Sequence, residues 1–114
     1  MATQKVARRL MIHVGEGDHY KHKPVHFEIL HRAHKAGLAG ASVFRGFEGY
    51  GIHSRIHTTH ILSLASDLPI VIVIIDEPAR IDAFLLVLDD LLEQGTVTVE
   101  DVKTLHYGPE LNRS

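Results

Sequence analysis

The 114-residue sequence has no cysteine, which removes disulfides, thiolate metal sites and cysteine nucleophiles and suits a reducing compartment. Long apolar runs are missing too. The longest, residues 68–75, is bracketed by Asp67 and Asp76 and falls far short of the roughly 20 residues a membrane-crossing helix needs. Lys5, Arg8 and Arg9 break up the apolar residues between Met1 and Val14, so no export segment forms, and a cytoplasmic protein without direct membrane insertion is expected. Nor is there an excess of positive charge. Twelve Lys and Arg stand against fourteen Asp and Glu, for a formal charge of −2, which argues against a nucleic-acid partner, since such domains concentrate cations against phosphates. No Walker, Rossmann or HExxH spacing is present, and no Ser/His/Asp set or carboxylate pair can be assigned. The chain reads as a binding protein, not an enzyme.

What is present is ordinary for one globular domain, 45% hydrophobic and 23% charged, spanning residues 1–114 with 108–114 as a loose tail. The unusual number is ten histidines. Protonating all of them would add ten positive charges to the formal −2 and reach +8, so mild acid changes the surface strongly.

Along the chain, a two-residue period from Val6 to Val14 sets Leu10, Ile12 and Val14 against Arg9, Met11 and His13, which predicts a strand. Gly15-Glu16-Gly17-Asp18 ends it. Pro24 stands where a first helical residue loses nothing by lacking an N–H. Val25, Ile29, Ala33 and Ala36, with Leu30, then form a helical stripe that stops at Gly37. Residues 41–47 are short, β-branched and aromatic, a second strand. Residues 69–76 predict a third, with six consecutive Ile and Val after the proline. Asp76-Glu77-Pro78 offers a capping carboxylate and an N1 proline, after which Ile81, Phe84, Leu85, Leu88 and Leu92 repeat at helical spacing until Gly95. Residues 97–107 predict a last strand, irregular near Glu100-Asp101. The order βαββαβ is that of an α+β, ferredoxin-like sandwich: a four-stranded antiparallel sheet with two helices on one face.

Two features exceed the fold. Ile70 to Ile75 are apolar on both faces of their strand, yet two helices cover only one face of such a sheet. The least costly cover for the other is a second copy of the chain, so a homo-oligomer is expected. The second feature is the connection from Glu48 to Leu68, far longer than a hairpin needs. It mixes glycines (Gly49, Gly51) with polar donors (His53, Ser54, Arg55, His57, His60), and function is expected there.

The string Ala41-Ser42-Val43-Phe44-Arg45-Gly46-Phe47-Glu48-Gly49-Tyr50-Gly51, followed by Ser54-Arg55-Ile56-His57-Thr58, resembles the domain-of-unknown-function 190 family. So do the Gly15-Glu16-x-Asp18 turn with Pro24, Gly37-Leu38-Ala39-Gly40-Ala41, Asp67-Leu68-Pro69 and Glu100-Asp101-Val102. That family is similar in fold to PII-type signalling proteins and CutA-like proteins. The resemblance implies a trimer with clefts between subunits and a signalling role. A small anionic metabolite or nucleotide would bind in the clefts, and the long loop would contact a membrane transporter or enzyme. One departure stands out: where PII proteins carry a Gly-rich nucleotide loop with a Thr-Gly pair after the second helix, this chain has Glu93-Gln94-Gly95-Thr96. The CutA likeness implies an alternative, metal binding or metal tolerance.

The candidate ligand-binding residues are Arg45, Gly46, Gly49, Gly51, Ser54, Arg55, His57 and Glu16. Arg45 is a charge on an otherwise apolar strand, and with the Gly46 N–H beside it an anion can be approached closely; a salt bridge to Glu48 or to a neighbouring subunit explains it equally. Gly46, Gly49 and Gly51 serve a bulge as readily as a phosphate cradle. Glu16 and Asp18 can orient a ligand or metal, but turn chemistry accounts for Asp18 as well. Asp76 and Glu77 read as helix caps before an acid–base pair. His53, His57 and His60 have ligand spacing, although so many histidines produce such spacings by accident, as do His22/His26 and His31/His34. Arg45-Gly46-Phe47-Glu48-Gly49-Tyr50 mimics an RNA-binding aromatic motif, but on the second strand and without an aromatic on the first it lacks the needed context.

Overall fold

A computed structural model describes residues 2–49, 57–58 and 68–109. Its main elements are β1 (Thr3–Gly15), α1 (Val25–Lys35), β2 (Ala41–Arg45), β3 (Pro69–Asp76), α2 (Pro78–Leu91) and β4 (Thr96–His106). The four strands form one sheet in the order β2-β3-β1-β4, with every neighbouring pair antiparallel. This is the ferredoxin-like α+β arrangement that the alternating apolar periods predict. No helix among the described residues is long and apolar enough to cross a membrane.

One core forms between the helices and one side of the sheet. Leu10, Ile12 and Val14 of β1 and Ile70, Ile72 and Ile74 of β3 meet Val25, Ile29 and Ala33 of α1 and Ile81, Phe84, Leu88 and Leu91 of α2. Each fully buried side chain of this kind contributes about 1.5–3 kcal/mol, so the alternation along β1 fixes which side of the sheet the helices take, a choice that β3, apolar on both faces, leaves open. The opposite side is left open: Met11, Val71 and Val73 are half-buried and Ile75 and Phe44 are exposed. Gly37 takes φ +76° just beyond α1, the left-handed conformation that ends a helix and that glycine adopts at no steric cost.

Two expectations are corrected, and one element was not foreseen. β4 runs unbroken through Glu100-Asp101, because β1 places an arginine opposite each acid: Arg9 pairs with Glu100, and Arg8 Nε donates to Asp101 at 2.7 Å. Arg8 also reaches Asp82 of α2 at 2.7 Å, and its hydrogen bonds to Asp101 and Asp82 raise its pKa further above the neutral range. The Asp76 cap does not form. Asp76 instead accepts from the backbone N–H of Glu77 at 2.6 Å and of Ala39 at 2.8 Å, and α2 starts at Pro78 without a side-chain capping bond. The segment after β1 carries a small hairpin, His19–Tyr20 on Lys23–Pro24, turning through Lys21 and His22 at φ 47° and 69°. Sequence reading missed it because such turns normally announce themselves with Asn or Gly.

Candidate ligand site at one end of the sheet

The end of β1, the end of β2, the start of β3 and the α2–β4 turn come together at one end of the fold. The long connection leaves from this end at Arg45. Arg45 is the last residue of β2, paired with Ile70 of β3, and its side chain is about half exposed. Its guanidinium meets the Glu16 carboxylate side-on, Nε to Oε2 at 2.5 Å and Nη2 donating to Oε1 at 3.0 Å. Two parallel charge-assisted bonds are the geometry by which arginine recognises a carboxylate. Two residues proposed separately as ligand contacts are therefore each other's partners; the Glu48 side chain lies outside the described ones.

Glu16 is held where it can make this contact by its backbone N–H, which donates to the Leu68 carbonyl at 2.8 Å. Asp18 closes the turn. Its N–H donates to the Gly15 carbonyl at 3.1 Å, and its carboxylate accepts from the Gly15 N–H at 2.9 Å, so turn chemistry accounts for it. The other carboxylate oxygen accepts from Gln94 Nε2 at 2.7 Å, which fastens the α2–β4 turn to the β1 turn. Gly95 follows at φ +131°, where a β-carbon would sit 2.8 Å from the His13 carbonyl oxygen. The Gly46 N–H donates to the Pro69 carbonyl at 2.8 Å, extending the β2–β3 ladder by one bond, so it is not turned toward an anion beside Arg45 as expected from the sequence. Gln94 is the neighbour of this candidate site that sequence reading overlooked. Its only signal was its place in the segment that departs from the PII nucleotide loop.

Glu48–Gly49 pairs with His57–Thr58 as a separate two-residue ladder within the long connection. Gly51, Ser54 and Arg55, like His53 and His60, lie outside the described residues. Among those described, no group of three or more His, Asp or Glu stands close enough to hold a metal ion. His31 packs against Phe27 with ring centroids 4.3 Å apart and ring planes tilted by 56°. With His34, it lines a hollow of about 420 Å³ beside α1 that reaches Ala41, at the opposite end of β2 from Arg45.

Residues 7–104 match the model of the DUF190 family, described as "Uncharacterized ACR". The chain belongs to this family. A UPF0166 protein of Aquifex aeolicus (strain VF5) is 37% identical over 97 residues, covering 85% of this chain and 91% of the relative. A UPF0166 protein of Methanocaldococcus jannaschii is 27% identical over 96 residues, covering 83% and 88%. Among solved structures, CPII from Thiomonas intermedia K12 bound to ADP and bicarbonate superposes with a TM-score of 0.65 at 20% identity, covering 90% of this chain and 91% of that one. The apo form of CPII, a nitrogen regulatory PII-like protein, gives 0.59 at 19% identity, covering 94% and 100%. At these identities the likeness is one of fold, and the DUF190 chain is PII-like in that sense.

Proposed function

We propose that this DUF190 protein is a PII-like regulator. Copies associate through the open side of the sheet into a trimer. A small anionic ligand or nucleotide binds in the clefts between copies, and the connection from Glu48 to Leu68 reports its presence to a transporter or enzyme. The observation that carries the reading is Arg45, a half-exposed guanidinium at the point where an arm of unusual length leaves the sheet. The fold likeness to CPII, which is bound to ADP and bicarbonate in one structure, supports the ligand class. The role is one of binding and reporting. Arg45, Gly49, Gly51, Ser54, Arg55 and His57 are its proposed contacts, with Gly46 as the strand end beside them and Glu16 as the partner that Arg45 holds without ligand.

Calorimetric titration of ADP, ATP, AMP, cyclic dinucleotides and bicarbonate into the wild-type protein and Arg45→Ala tests this reading. One ligand class should bind, and Arg45→Ala should weaken it at least about tenfold, the loss expected for one charge-assisted contact. Silence across the panel, or affinity indifferent to Arg45→Ala, would remove the site.

A further inference from the structure

Resting on that reading, we infer that Glu16 is a built-in surrogate for the ligand. The group that docks on Arg45 is a carboxylate-like monoanion, and it enters by taking the place of the Glu16 carboxylate. The side-on fork, Nε to Oε2 at 2.5 Å and Nη2 to Oε1 at 3.0 Å, already holds two oxygens of one planar oxyanion. Its occupant is tethered at the end of β1, while Arg45 itself is half exposed. An incoming carboxylate or bicarbonate can thus take over both bonds with no rearrangement of the arginine.

The charges described at this end favour one class of ligand. Among the described residues at this end, 15–19, 45–47, 68–69 and 92–96, the carboxylates are Glu16, Asp18 and Glu93, and Arg45 is the single Lys or Arg. Exchanging one monoanion for another leaves the charge on the fork unchanged and frees Glu16 to solvent. A phosphate dianion would bring a second negative charge to an end already rich in carboxylates.

Magnitude makes the exchange feasible. An exposed pair of this kind favours its closed form by a factor of only about 1.4 to 5, so the fork stands open for roughly 15–40% of the time. A ligand that needs the open form loses affinity by the reciprocal of that fraction. Removing the internal competitor should therefore tighten binding about two- to sixfold.

The experiment titrates acetate, bicarbonate and inorganic phosphate into wild type, Glu16→Gln, Arg45→Lys and Arg45→Ala, with circular dichroism confirming that each variant is folded. Support is a two- to sixfold gain for acetate or bicarbonate in Glu16→Gln, a loss in Arg45→Lys, which keeps the charge but not the fork, and phosphate weaker than either carboxylate-like ion. If wild type binds and Glu16→Gln binds equally or more weakly, or if phosphate is preferred, the surrogate role falls while the ligand site stands. If no anion binds wild type or Glu16→Gln, the surrogate role falls, and if the wider panel on wild type is also silent the ligand site falls with it.

Discussion

A β-carbon built on Gly46 lies 2.7 Å from Pro69 Cγ, closer than such atoms approach in folded proteins. The same glycine donates its N–H to the Pro69 carbonyl at 2.8 Å, so β2 cannot back away without losing a ladder bond. Gly46→Ala should consequently lower stability by about 1–3 kcal/mol, as overpacking does. Urea denaturation reads the loss. Gly46→Ala combined with Pro69→Ala, which removes the opposing Cγ, should cost less than the two single changes summed; strict additivity would place the glycine's role elsewhere. The sequence marked Gly46 as special but not for what. A close approach to a proline 23 positions later leaves no trace in local pattern, and neither does the Gln94–Asp18 bond across 76 positions. The Glu16–Arg45 pair was legible only as two separate candidates for the same reason.

Among the elements, those whose boundaries follow from local chemistry were readable. β3 has the range that its Pro and Asp borders predict, and α1 stops where Gly37 turns left-handed. Elements set by distant partners were not. β1 extends back to Thr3 because Thr3 pairs with His106, and Thr3-Gln4-Lys5 carries no apolar alternation to reveal it. Asp76 is the sharpest case. Its sequence position says helix cap, whereas its side chain, 5% exposed, ties the turn before β2 to the end of β3 through Ala39 and Glu77. Replacing it with Ala leaves two amides without their acceptor, each bond to a carboxylate being worth about 1.5–3 kcal/mol. Asp76→Ala is thus expected to be among the most destabilising single changes outside the apolar core. Hydrogen exchange gives the specific signature: the Ala39 amide should lose protection far more than amides in the middle of β3. Unchanged protection at Ala39 would show that the carboxylate does not hold this turn.

For the whole molecule, the decisive asymmetry is between the two sides of the sheet. Ile70, Ile72 and Ile74 are buried under the helices, while Val71, Val73 and Ile75 on the same strand face outward with Met11 and Phe44. Past the Arg8–Asp76 pairing β3 ends, and residues 3–7 of β1 continue with β4 alone. This two-stranded ribbon overhangs a groove of about 870 Å³ that Val73 and Ile75 help to line. A second copy laid against this side would bury those valines and isoleucines at about 1.5–3 kcal/mol for each side chain fully covered. A carboxylate at the centre of the same surface would have to be desolvated without a partner, which costs several kcal/mol. Val73→Glu should therefore separate the copies while leaving the core intact, since Val73 points away from the helices. Sedimentation at micromolar concentration should give a multiple of the 12.7 kDa protomer for wild type, three on family likeness, and the protomer for Val73→Glu with its circular dichroism unchanged. A wild-type protein that sediments as a lone protomer would leave no clefts between copies, and Arg45 would then have to hold its ligand on an open surface.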